Sequence, residues 1–182
     1  HPDLLSNMWV NEGEIAGDSI DNDGNGFVDD IHGWDFANDD NTIYDGADTD
    51  YHGTHVAGTI GAVSNNGIGV VGVAWNVRIM SLKFLHNGGN TSDAIDALSY
   101  AKANGAKFTS NSWGGGGDSQ ALKDAIIAHG GLFIAASGNS GRNTDTSPSY
   151  PAASDLDLII SVAATDRNDA LAGFSNYGAT SV

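Results

Sequence analysis

Cysteine is absent from the 182 residues, which excludes disulfides, thiolate nucleophiles and Cys-ligated zinc together. Basic residues are scarce: 7 Lys and Arg stand against 23 Asp and Glu, for a formal net charge of -16. A chain with no basic footprint cannot neutralise phosphates, so nucleic acid is excluded as a partner. No apolar run approaches the ~20 residues that a spanning helix needs, and no membrane association is expected. With 40% hydrophobic and 16% charged residues, the composition is that of a globular chain with a core, not a disordered tail. The chain opens on His1-Pro2-Asp3, without an initiator Met or the basic-then-apolar pattern of a signal peptide. It is expected to be part of a longer protein, with any targeting segment in the remainder.

The acids are unevenly placed. Residues 1–50 hold 14 of the 23 and no Lys or Arg. Within them, Asp21-Asn22-Asp23-Gly24-Asn25-Gly26 sets oxygen donors at alternate positions and a Gly where a loop must turn sharply. This is the first half of a calcium-binding loop. Its twelfth position is His32 where an EF-hand carries a bidentate Glu, so Asp29 or Asp30 is expected to close the shell around Ca²⁺. A loop rich in Asx turns is the alternative.

From about residue 77 strands and helices alternate. Val77–Phe84, Lys107–Asn111, Leu132–Ala136 and Leu158–Ala163 read as strands. Ala94, Ile95, Leu98 and Ala101 follow at helical spacing behind Ser92 as cap, with Gly105 as stop, and Leu122, Ala125, Ile126 and His129 form a second stripe ended by Gly130-Gly131. The order predicts an α/β fold with a mainly parallel sheet and helical crossovers. Ligands in such sheets lie beyond the carboxyl ends of strands. Asn111-Ser112-Trp113-Gly114 and Ser137-Gly138-Asn139-Ser140 follow two of those ends, and are expected to face one crevice. Gly67-Ile68-Gly69-Val70-Val71-Gly72 fits a dinucleotide-binding pattern, but a strand is expected after it, so no helix N-terminus is available for a pyrophosphate. Asn90-Thr91-Ser92 is a formal glycosylation acceptor.

The most specific string is His52-Gly53-Thr54-His55-Val56-Ala57-Gly58. Val56, Ile60 and Val63 predict one buried helical face with His52 at the helix start. Taken singly, His52 and His55 admit a structural or a metal reading. The whole string resembles the segment around the catalytic His of the subtilases, the subtilisin-like serine proteases. His1-Pro2-Asp3-Leu4 resembles the segment that follows the family's catalytic Asp block, and Ala172–Gly178 resembles the one that precedes its Ser block. The resemblance covers essentially all 182 residues and implies a three-layer α/β/α fold. Residues 1–182 then form part of one peptidase domain, with the Asp and Ser blocks outside it, and alone are expected to be inactive.

The resemblance implies that His52 is the general base and that the Asn139 side chain donates to an oxyanion. It places Ser112, Trp113 and Gly114 on one substrate-binding edge, and Ala136, Ser137 and Gly138 on the opposite wall of the specificity pocket. Leu85–Gly89 would flank the substrate on another side. It also implies a calcium site at Asp3 and Asn66 with nearby carbonyls, and a weaker one around Asp35 and Asp40. The implied partners are a polypeptide substrate in extended conformation and the protein's own pro-segment; the implied location is extracellular. The alternative is a non-catalytic calcium-binding relic or adhesion module on the same fold, which substitutions in the Asp and Ser blocks would reveal.

Overall fold

Parallel strands cannot be joined by a tight turn, and every strand pair in this chain is parallel. The computed structural model describes the backbone of residues 1–182 and every side chain except those of residues 47–49. The chain divides into two compact units, His1–Ala97 and Leu98–Val182.

In the first unit, β1 (Gly33–Asp35) pairs with β2 (Ser81–Lys83), Asp35 opposite Lys83. β2 is the short core of the strand expected from Val77 onward; Ile79 adds an isolated bridge to Met8. Helix α1 spans Ala47–Gly61, so His52 lies in its second turn and not at its start. The helix begins early because the Asp50 amide bonds the Gly46 carbonyl at 2.9 Å and the Asp50 carboxylate accepts from the Asp45 amide at 2.5 Å. Gly58, Gly61 and Ala62 are buried, while Val56, Ile60 and Val63 are half-buried. A Cβ on Gly61 would collide with Val77, so the small residues do set the approach of α1 to its neighbours. Residues 62–80 contain no helix, so Gly67–Gly72 is not followed by the helix N-terminus that a pyrophosphate would need.

Cross-strand register puts the Lys83 ammonium 3.0 Å from Asp35, and it also reaches Asp45 and, at 3.3 Å, Asp50. Asp35 is wholly buried and accepts further bonds from the amides of Ala37 and Asn38. Burial opposes the charge on Lys83, but Asp45 and then Asp35 outweigh it and raise its pKa above the ordinary lysine value. Burial likewise opposes the charge on Asp50, and the Asp45 amide and Lys83 reverse that effect, so its pKa is lowered. One lysine thus ties β1, β2 and the start of α1 together.

In the second unit, β3 (Phe108–Asn111), β4 (Leu132–Ala136) and β5 (Ile159–Val162) form a sheet of order β3-β4-β5. Phe133 and Ala135 on the central strand are fully buried. Helix α2 (Thr91–Ala103) begins in the first unit and ends in the second; it starts one residue ahead of Ser92, whose hydroxyl bonds Asp93 instead of capping, and Ala94, Leu98 and Ala101 are buried while Ile95 is half-buried. Helix α3 (Gln120–His129) makes the β3-to-β4 crossover. Ser119 caps it by accepting from the Leu122 amide, and Gly130, at φ 78°, ends it in the left-handed conformation that disfavours side chains. Leu122 and Ile126 form its buried stripe. No helix occupies residues 137–158 between β4 and β5.

Lys83→Ala leaves the Asp35 carboxylate buried without its cation. It is expected to destabilise the full-length protein by about 3–5 kcal/mol, read from the midpoint of denaturant unfolding. A loss below about 1 kcal/mol would show that the amide donors alone satisfy Asp35.

Candidate functional site

The carboxyl ends of β3, β4 and β5 open into a cleft of about 300 Å³, lined by Asn111, Ser112, Ala136–Asn139 and Val162–Ala164 among others. Of the two segments expected to share a crevice, Trp113, Gly114 and Ser140 do not line this cleft, while Asn111-Ser112 and Ser137-Gly138-Asn139 do. Alternation along β4 explains why: Phe133, Ala135 and Ser137 point into the protein, while Ala136 is exposed. Asn139 is exposed and Gly138 half-buried. Asn111 is buried, and its amide donates to Thr109 Oγ1 at 2.9 Å and to the Ile134 carbonyl at 3.3 Å. Its Oδ1 accepts from the indole Nε1 of Trp113 at 3.1 Å. The Trp113 ring meets Phe133 edge-on, with centroids 6.2 Å apart. Gly114 lies against the Tyr150 carbonyl, which accepts from the Gly115 amide.

The loop after β4 has no ladder of its own and is held by segment 172–178. Gly141 donates to Phe174, Tyr177 to Arg142, and Thr144 to Tyr177. Asn176, which the sequence did not single out, is 1% exposed and bonds this loop on both sides of Asn139. Asp145 continues the tie, accepting from the amides of Ala179, Thr180 and Ser181 and from the hydroxyls of Thr180 and Ser181. The Ser181 hydroxyl first, then the Ala179 amide, hold its pKa well below the usual carboxylate range.

In the first unit His52 and His55 are both exposed on α1. Leu85 and Gly89 close a tight antiparallel bridge. In the acidic loop, Glu14, Asp21 and Asp23 bring ligand oxygens within 4.8 Å of one another. Glu14 was not expected there; it enters from outside the motif, accepting from the amides of Asn22, Asp23 and Asp29. The Gly26 amide, ahead of those of Gly24 and Asn25, lowers the Asp21 pKa against the opposing effect of burial. Asn25 donates to Asp23 and Asp30. Asp30 is wholly buried and also accepts from Asn11 at 2.6 Å. The Asp29 carboxylate is turned to the amides of Gly17 and Ser19. The loop therefore offers clustered hard oxygen donors, the chemistry that suits Ca²⁺.

Asp3, 2% exposed, accepts from Asn66 Nδ2 at 2.7 Å and from the Val70 amide at 2.9 Å, while Asn66 Oδ1 accepts from Ile68. Asp3 and Asn66 are thus adjacent, with the amide turned so that its nitrogen faces the carboxylate. Asp35 and Asp40 pair through their backbones, and the Asp35 carboxylate is given to Lys83.

Parallel strands whose carboxyl ends carry a polar, Gly-rich cleft define an α/β protein of the kind that places its chemistry on the loops after its strands. Residues 1–182 match the model of the subtilase family, Peptidase_S8, and the chain belongs to that family. A thermophilic serine proteinase of a Bacillus species is 39% identical over 153 residues, covering 81% of this chain and 36% of that protein. Thermitase of Thermoactinomyces vulgaris is likewise 39% identical over 153 residues, covering 81% of this chain and 52% of its own length. The chain therefore spans between a third and about half of these relatives. A solved protease of Pseudoalteromonas arctica superposes with a TM-score of 0.63 at 36% identity, over 70% of this chain and 41% of that one. A psychrophilic subtilisin-like protease of an Antarctic Pseudoalteromonas gives 0.58 at 39% identity, over 70% and 30%. The fold is the subtilisin-like α/β fold.

Because the folded pKa of Asp145 is depressed, its tie to residues 179–181 is complete above the unfolded value of about 3.9 and is lost as pH falls through the lower folded value. Amide exchange at Ser181 is expected to stay protected at pH 5 and to lose protection progressively below pH 4. Unchanged protection down to pH 2 would contradict this tie.

Proposed function

We propose that the full-length protein is a secreted serine endopeptidase, with His52 as its general base and Asn139 as an oxyanion donor. The observation that carries the reading is Asn139 itself: an exposed carboxamide on the loop after the central strand, beside a cleft at the strand ends, in the position the family motif gives to that donor. The full-length protein supplies the Ser nucleophile and the Asp partner of His52. His52 accepts the Ser proton as Oγ attacks the peptide carbonyl, then returns it to the leaving amine as the C–N bond breaks. Water repeats the sequence on the acyl-enzyme. Asn139 donates its amide N–H to the oxygen as negative charge develops there. Ser112 to Gly114 and Ala136 to Gly138 form the two sides along which an extended polypeptide lies. The pro-segment, a polypeptide of the same protein, is a second occupant of that surface.

Ca²⁺ is proposed as a structural ion at the acidic loop, with Glu14, Asp21 and Asp23 as its donors; Asn25, and Asp29 or Asp30, would have to leave their present hydrogen-bond partners to join the shell. It would neutralise carboxylates that otherwise repel one another. A second ion is proposed at Asp3 and Asn66, where the amide must turn over to present Oδ1.

His52→Ala in the full-length protein is expected to lower kcat on a chromogenic peptide by at least about 10⁴-fold with KM nearly unchanged, a magnitude established on related serine proteases. His55→Ala should affect stability instead. Full activity of the His52 variant would sink the assignment of His52 as the base, and a folded wild type without activity would favour a binding module on the same fold.

Chelation is expected to shorten the half-life for thermal inactivation, since an ion bound only to the folded state contributes about 2.7 kcal/mol at a hundredfold excess over Kd. Asp23→Ala should blunt the response to added calcium, and magnesium should substitute poorly. Equal half-lives in calcium and in chelator would contradict the metal assignment.

A further inference from the structure

An oxyanion donor acts only if its N–H is aimed where charge develops, within about 0.5 Å and 10–20°. Asn139 stands on a Gly-rich loop outside every strand and helix, so its aim has to be imposed from elsewhere. Asn176 meets that loop with side chain and backbone together. Its Nδ2 donates to the Ser137 carbonyl at 2.8 Å, and its Oδ1 accepts from the amides of Ser140 at 3.0 Å and Arg142 at 3.3 Å. Its own amide donates to the Gly138 carbonyl at 2.9 Å, and its carbonyl accepts from the Ser137 hydroxyl at 3.2 Å. The residues bonded lie two before, one before, one after and three after Asn139. Gly138, at φ 109°, leaves room for this: a Cβ there would stand 2.5 Å from Asn176 Nδ2.

We infer that Asn176 is a positioning residue for the reaction, fixing the backbone on both sides of Asn139 so that the Asn139 amide is held for the oxyanion. The inference rests on the reading of Asn139 as that donor. Only a carboxamide meets both demands of the site. Asp has the shape but cannot donate to Ser137, Ser is too short to span both sides, and Leu satisfies neither.

The test is a double-mutant cycle in the full-length peptidase, with kcat normalised to active sites titrated by a Ser-directed phosphonate, so that only folded enzyme is counted. Asn139→Ala is expected to lower kcat by about 10²–10³-fold, a range that comes from the same donor in subtilisin, a relative, and was not obtained from this chain. Asn176→Asp is expected to lower kcat up to about 10²-fold, the cost of a misplaced catalytic group. The double variant should match Asn139→Ala alone, because nothing remains to be aimed. If Asn139→Ala leaves kcat unchanged, the donor assignment itself fails. If Asn139→Ala is slow but Asn176→Asp is not, or if the two losses multiply, the inference about Asn176 alone is overturned. Should Asn176→Asp give no titratable sites, Asn176→Ser is read by the same cycle. Failure of both to yield titratable enzyme would assign Asn176 to folding and overturn its positioning role.

Discussion

A buried polar side chain must find its full set of partners, because leaving one donor or acceptor unmade costs about 1–3 kcal/mol and more for a charge. In this chain the partners are supplied by loops. Asp3, Asn7, Asn11, Asp30, Asp35 and Asn176 are all buried, and each bonds backbone or side chains outside the strand ladders. Asn7, for example, donates to the Gly61 carbonyl at the end of α1 and to that of Trp75. Strands of three to five residues fix little chain by themselves, so these groups hold the irregular segments in place. The constraint runs both ways: the loops satisfy the buried group, and the buried group leaves the loops one arrangement.

Chemistry is then set on loops and helix surfaces whose geometry is imposed from below. In the second unit, Asn176 and Asn111 are the buried carboxamides beneath the cleft, one gripping the segment around Asn139 and the other orienting Trp113. In the first unit, Lys83 joins the two strands to Asp50, two residues before His52 on α1. The exposed residues proposed to act on substrate thus stand one or two residues along the chain from groups that cannot move without losing partners. The same principle extends to the acidic loop. There the buried Asp30 is anchored by Asn11 and Asn25, and the carboxylates of Asp21 and Asp23 converge above it.

Much of the second unit was legible because local signals agree there. The apolar run Leu132–Ala136 is β4 to the residue, and Leu122 with Ile126, ending at Gly130, defines α3. The first unit was less so. β1 is Gly-Trp-Asp within an acidic stretch, and its Asp is buried only because Lys83 lies across the register. No periodicity in three residues reveals that. α1 starts before His52 because of bonds made by Asp45 and Asp50, which in sequence look like further solvated acids. Glu14 lies outside the calcium-loop pattern, and Asn176 reads as a turn residue in Phe-Ser-Asn-Tyr-Gly. Both act through contacts eight to 39 residues away, which spacing arguments do not reach.

Covalent labelling by a fluorophosphonate asks most directly whether residues of this chain activate a nucleophile. The full-length protein and its His52→Ala variant would be treated side by side and the adduct located by mass spectrometry. A single Ser adduct on the wild type, absent or formed far more slowly in the variant, is the predicted result. No adduct on folded wild type, or labelling at the same rate without the imidazole, would contradict the assignment of His52 as the base of a serine peptidase.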